Sequence, residues 1–176
     1  RVKIATWNVN SIRARERRVL AWGTAHEPDV LCLQELKIEE TEFPMLAFRS
    51  LGYHAVLQGQ RTYNGVAILS RAPLSEVRIG MDDGAEDTQA RVVSAKPGGV
   101  DVICASFPHG GTLGSLKFRY KLEWMERLRR HLDAHFSPDA PVALCGDFNV
   151  APTPLDVSDT WDWSKSVLTA QEVRAG

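Results

Sequence analysis

Two acids and three amides stand where apolar runs of this chain give out. Asn8 and Asn10 close the run that begins at Val2, Glu35 closes the run Asp29–Gln34, and Asp147 and Asn149 follow Pro141–Cys145 and a single glycine. Alternation along a strand predicts Asp147 and Asn149 on one face and Phe148 on the other. Any one such polar strand end reads as a turn. Three of them at one edge of a pair of sheets would gather two carboxylates and several amides in one cleft. Two carboxylates that both stay ionised need a cation between them, and oxygen-only ligands favour magnesium or manganese over zinc. Side-chain amides add neutral donors that hold a phosphate oxygen without repelling it. The chemistry open to such a set is metal-assisted hydrolysis of a phosphate ester.

The elements that must position these groups are legible in outline. A strand is expected over Val2–Asn8. Ser11 is an N-cap candidate for a helix over Ile12–His26, which Pro28 terminates. The run Asp29–Glu35 is nearly all apolar and reads as a strand buried on both faces. "YHAVLQGQ" and "GVAILSR" read as two more strands around a turn at Arg61–Asn64, and Asp82–Asp87 as an acidic loop. "ARVVSAK" and "VDVICASF" flank Pro97-Gly98-Gly99 and read as a hairpin. Ser115–Phe136 has apolar residues at helical spacing and predicts a long amphipathic helix. His131 and His135, four apart on it, read as a solvated helix face rather than a zinc pair. Thr169-Ala170-Gln171-Glu172 has the form of a capping box, the start signal of a helix, with four residues after it. Consecutive strands over residues 53–107 exclude a simple βαβ alternation. They point to an α+β fold of sheets packed together with helices outside, in a single domain over residues 1–176.

Composition narrows the function classes. Lys and Arg number 21 against 22 Asp and Glu, a formal net charge of −1. Any polyanion must therefore be held by a local basic patch. No apolar run approaches membrane-spanning length. Cys32, Cys104 and Cys145 each sit inside an apolar run without a CxxC pattern, and read as buried reduced thiols of a cytoplasmic protein.

The stretches "IATWNVNSIRAR", "PDVLCLQELK", "YNGVAILSR", "KFRYKLEW" and "LCGDFNVAP" follow one another along essentially the whole chain. In that order they resemble successive motifs of the exodeoxyribonuclease III family of abasic-site endonucleases, within the endonuclease/exonuclease/phosphatase superfamily. The resemblance implies a four-layer α/β/β/α sandwich of two packed mixed sheets flanked by helices. It implies a monomer that uses Mg²⁺ (or Mn²⁺), incises DNA 5′ to abasic sites and trims 3′ ends. Carried over by residue, Glu35 is the metal-binding carboxylate, and Asn8 supports the metal shell and orients the catalytic acid. Asp147 positions or deprotonates the attacking water, and Asn149 holds a non-bridging phosphate oxygen. Asn10, Asn64 and Arg91 face the DNA. Arg13 and Lys117 are phosphate contacts, with Arg15, Arg17, Arg18, Lys37, Arg119 and Lys121 as further basic surface.

Two departures from the family pattern matter. Where the family has Tyr-x-Pro-Asn-Gly, this chain has Ser106-Phe107-Pro108-His109-Gly110. Ser106 then stands for the phosphate-contacting phenol and His109 for the amide. The family's closing Ser-Asp-His motif is missing, since no histidine follows His135. The resemblance thus implies a chain truncated at its C-terminus, an incomplete second sheet and impaired turnover. The alternatives are a non-catalytic DNA-binding remnant and a phosphodiesterase of the same superfamily with another substrate.

Overall fold

The apolar stretch Val30–Gln34 is buried at every position, as a strand covered on both faces must be. The computed structural model describes residues 1–175. Along them run β1 (Ile4–Asn8), α1 (Ile12–His26), β2 (Val30–Gln34), α2 (Met45–Ser50), β3 (His54–Gln58), β4 (Val66–Ser70), β5 (Leu74–Ile79) and β6 (Val92–Pro97). There follow β7 (Asp101–Ser106), α3 (Leu116–His135), β8 (Val142–Asp147) and α4 (Gln171–Ala175). The chain forms two compact units, one of residues 1–106 with 136–147, the other of residues 107–135 with 148–176.

The first unit holds two four-stranded mixed sheets, ordered β1-β2-β4-β3 and β5-β6-β7-β8. Each contains one parallel pair, β1 with β2 and β7 with β8. Between the sheets pack Val30, Cys32, Val66 and Ile68 against Val93, Ala95, Val102 and Cys104. Burying each of the valine and isoleucine side chains stabilises the fold by about 1.5–3 kcal/mol. The opposite face of the first sheet, with Leu31, Leu33, Ala67 and Leu69, is covered by Ile12 and Val19 of α1 and Phe48 of α2. Strands β1 and β8 are edge strands and pack against each other across the sandwich.

Most boundaries match the sequence reading. Helix α1 has its expected limits, and the Ser11 hydroxyl accepts from the Ala14 N–H at 3.3 Å. Strand β5 and helix α2 have no counterpart in that reading. Strand β5 lies at a sheet edge with a register shift between Ser75 and Arg78 and with Glu76 left-handed, so it lacks strand periodicity.

The second unit is built on α3. Phe118, with Leu122 and Met125, packs against Val150, Val167, Leu168 and Val173, so the segment after β8 folds onto the helix. The capping box is not used as its sequence implies. The Thr169 hydroxyl donates to the Trp163 and Ser166 carbonyls, although a short helix does start at Gln171. His131 also differs from the expected solvated face. It is 4% exposed, its ring 4.8 Å from that of His135.

Candidate active site

Parallel pairing sets Asn8 opposite Gln34 at the C-terminal ends of β1 and β2. The chain beyond β1 keeps alongside the chain beyond β2, through Ser11 N–H to Glu35 O (2.8 Å) and Ile12 N–H to Leu36 O (3.1 Å). Glu35 is thereby brought beside Asn8, and packing of β1 on β8 adds Asp147. The Asn8 Nδ2 amide donates to Oε1 of Glu35 at 3.0 Å and to Oδ2 of Asp147 at 2.8 Å. Its Oδ1 accepts from the Asn10 N–H at 3.0 Å, which fixes the amide orientation, since carboxylates only accept. Asn8 therefore orients the two carboxylates through its nitrogen, with its oxygen turned to the Asn10 N–H.

A lysine ammonium approaches the Glu35 carboxylate. Lys37 Nζ is 3.3 Å from Glu35 Oε2 and also donates to Asn10 Oδ1. Sequence reasoning placed Lys37 only among the general basic surface. The usable signal was its place two residues after Glu35 in a loop that returns to the strand end.

Backbone strain concentrates here. Asn10, Ser11, Glu35, Lys37 and Asn64 all have left-handed φ, between 43° and 85°. For residues such as Glu35 and Lys37 that conformation costs about 1–2 kcal/mol each, and such costs collect where function requires a fixed geometry. The Lys37 N–H and Leu36 N–H hold the turn in place by donating to the Asn64 and Gly65 carbonyls.

Gly146 explains why β8 closes on a glycine before its acid. A Cβ there would lie 1.7 Å from the Ala105 carbonyl oxygen of β7. The close approach lets β7 and β8 stay in register to their ends, with Asp147 opposite Ser106.

The other expected residues of the first unit are placed as follows. Asn64 donates its amide to Gln60 Oε1 at 3.0 Å, beside the Glu35 turn. Arg91 is held by Gln89 Oε1 at 2.7 Å and the Ser106 carbonyl at 3.0 Å. Ser106 is 3% exposed, so it is an interior strand residue rather than the open phosphate contact expected of it. Arg13 forms an exposed ion pair with Glu42 at 2.6 Å, and its guanidinium holds the Glu42 carboxyl below its ordinary pKa. Gln34 turns inward, donating to Thr6 Oγ1 and Cys104 Sγ.

The second unit carries the remaining polar residues. Asn149 lies beyond β8 with φ 49°, so strand alternation does not describe it, and Phe148 is exposed on one side while packing on Phe107. Asn149 Nδ2 donates to the Phe107 carbonyl at 3.0 Å. His109 is exposed, and its Nδ1 accepts from the Gly111 N–H at 3.2 Å, which leaves Nε2 to carry the proton of the neutral ring. Lys117 is exposed. Lys121, expected on the basic surface, is fully buried.

Among the described residues no three His, Cys, Asp or Glu side chains gather as a metal cage. Glu35 and Asp147 form a two-carboxylate set instead. Both reach one amide nitrogen, so the bonded oxygens lie no more than about 6 Å apart. Mg²⁺ is commonly held by one or two carboxylates, with water and phosphate oxygens completing its octahedron. The hard oxygen donors here fit that ion and not a structural zinc, which takes sulfur and nitrogen.

Behind this set the three thiols meet in the inter-sheet core. Cys104 stands opposite Cys145 in the β7–β8 register. Hydrogen bonding with Cys104 and Cys145, and then burial, pushes the Cys32 thiol well up. The Cys145 thiol is lowered to about 7, chiefly by its hydrogen bond from Cys32.

The sequence pattern of the Endonuclease/Exonuclease/phosphatase family matches residues 5–169. Exodeoxyribonuclease III of Haemophilus influenzae is 32% identical over 161 residues, 89% of this chain and 60% of that protein. The structure of an AP endonuclease from Archaeoglobus fulgidus superposes with a TM-score of 0.95 at 40% identity, covering 99% of this chain and 68% of its own. A 3′ phosphatase from Neisseria, solved with a product DNA hairpin, superposes with a TM-score of 0.94 at 38% identity and the same coverage. The chain spans about three fifths of the curated relatives it matches. The first comparison structure shares the expected fold class, two mixed sheets with flanking helices.

Proposed function

From the premise that this chain belongs to the endonuclease/exonuclease/phosphatase family, we propose that it is a DNA-repair phosphodiester hydrolase. It incises 5′ to abasic sites and trims 3′ ends, using Mg²⁺ or Mn²⁺. The observation that carries the reading is the Asn8 amide donating at once to Glu35 and Asp147.

Glu35 would hold the dication, which would supply positive charge against the charge that develops on the phosphate. Asp147, held in place by the Asn8 N–H, takes a proton from the attacking water. Asn149 and the His109 Nε2–H donate to non-bridging phosphate oxygens, and Asn10, Asn64, Arg91 and Lys117 position the DNA. Arg13 joins them by exchanging Glu42 for a phosphate, since exposed ion pairs are easily broken. Phosphate contacts of this kind set register without reading sequence. With His109 in place of an amide and Ser106 buried, the 176 residues alone turn over slowly; losing one donor to the developing charge costs ~10²–10³ in rate. The free cysteines Cys32, Cys104 and Cys145 support a cytoplasmic location, and the family resemblance supports a monomer.

The Neisseria relative favours a second reading, in which hydrolysis is confined to phosphate at DNA 3′ termini. One assay separates them. A duplex with a single abasic site and a duplex with a 3′-phosphate are each incubated with Mg²⁺, with EDTA, and with Mg²⁺ restored. Incision at the abasic site, lost in EDTA and restored by metal, is expected. Release of 3′-phosphate alone selects the second reading. DNA binding with neither reaction would make the chain a non-catalytic remnant and contradict both.

A further inference from the structure

Lys121 lies in the second turn of α3 and is 0% exposed. Burying an ammonium is unfavourable unless its protons are taken up by acceptors. Here they reach two main-chain carbonyls, one from each of the two chain segments of the second unit. Nζ donates to the His109 oxygen at 3.2 Å and to the Asn149 oxygen at 2.6 Å. These are the two residues that handle the phosphate in the proposed reaction. The loop behind them is shaped to seat the lysine. Gly110 has φ 94°, and a Cβ there would lie 2.8 Å from Lys121 Cδ, so only a glycine leaves room for the stem. The Asn149 side chain adds a third tie, to the Phe107 carbonyl. Asn149 is itself left-handed, a conformation that needs outside support.

We infer that Lys121 is a positioning residue, whose buried ammonium clamps the main chains of His109 and Asn149 so that their donors present a fixed pair to the scissile phosphate. The inference rests on the proposed phosphate roles of those two residues. A charge-assisted bond to each carbonyl holds the backbone without engaging either side chain.

The test uses Lys121→Met, Asn149→Ala, their double variant and Gly110→Ala, each in the full protein. Gly110→Ala displaces the stem while keeping the charge, and serves should Lys121→Met fail to fold. Two readouts are taken: kcat and KM on an abasic-site duplex, and hydrogen exchange of the amides at 109–111 and 149–151. Lys121→Met is expected to raise exchange in both segments at least tenfold, with β2 and β4 unchanged. It should lower kcat about 30-fold with KM within about twofold. In the double variant the loss in kcat should be smaller than the product of the two single losses, because both changes act in part through Asn149, while the release of His109 adds to the loss from Asn149→Ala. Gly110→Ala should show the same exchange pattern. Unchanged exchange in Lys121→Met or Gly110→Ala overturns the clamp whatever the kinetics, and so does a double variant slower by the product of the two single effects. An Asn149→Ala protein with unaltered kcat overturns the phosphate role of Asn149 and with it the catalytic part of the inference, while the exchange data still decide the clamp.

Discussion

Asn8 and Asp147 are 139 positions apart in the chain, yet Asn8 Nδ2 stands 2.8 Å from Asp147 Oδ2. The other proton of that nitrogen goes to Glu35, 27 positions away. One amide therefore sets the spacing of two acids. Parallel pairing of β1 with β2 and packing of β1 on β8 make this possible. The amide also satisfies two carboxylate lone pairs that would otherwise face each other.

Asn8→Ala removes both bonds. It is expected to lower kcat by ~10²–10³, the range for loss of one preorganised electrostatic contact. Asn8→Asp keeps the shape and puts a third negative charge between Glu35 and Asp147. Its melting temperature in EDTA should fall below that of Asn8→Ala, and Mg²⁺ should restore more of it. Thermal denaturation with and without metal checks this. Equal melting temperatures for the two variants in EDTA would mean that the three side chains are not electrostatically coupled.

Gly146→Ala should be among the most damaging small substitutions in the protein. Its methyl would meet the Ala105 carbonyl at 1.7 Å, and backbone cannot rotate away as a side chain can. A loss of about 3 kcal/mol or more is expected, in the range of severe steric changes. Urea denaturation measures it. A variant within 1 kcal/mol of the parent would show that β7 and β8 do not need this approach.

Cys145 should be the reactive thiol. Cys32, raised first by its bonding with Cys104 and then by that with Cys145, keeps its proton, and its bond to Cys145 lowers the Cys145 thiol. Iodoacetamide labelling of Cys145 should titrate with a midpoint near pH 7, while buried Cys32 and Cys104 stay unlabelled. Cys32→Ala should move that midpoint up toward an ordinary thiol, about 8.5. The folded pKa lies below the unfolded one. This group therefore adds stability that is complete above the unfolded thiol's range and is lost as the pH falls through about 7. Equal labelling of all three cysteines would contradict the arrangement.

The sequence made legible the features with a local physical signature. An unbroken apolar run marked β2, the Ser11 cap and apolar spacing marked α1, and Pro97-Gly98-Gly99 marked the β6–β7 hairpin. The convergence of Asn8, Glu35 and Asp147 was readable because all three close predicted strands. What stayed hidden depends on distant contacts. Edge strand β5 has exposed, irregular residues and takes its form from pairing with β6. Strand alternation failed at Asn149 because the chain turns left-handed there, and nothing in "DFNV" announces that. Burial of Lys121 and of Ser106 is likewise set by partners far along the chain, against the usual exposure of both residue types.

The central claim is that Glu35 holds one dication with the Asp147 carboxylate beside it. Titrating Mn²⁺ into the protein and following its free signal by electron paramagnetic resonance tests this without DNA or turnover. One bound ion is expected for the parent. Glu35→Gln should weaken it at least tenfold, and Asp147→Asn should weaken it measurably, with both variants still folded. Binding of the same strength and stoichiometry in the parent and both variants would contradict the account.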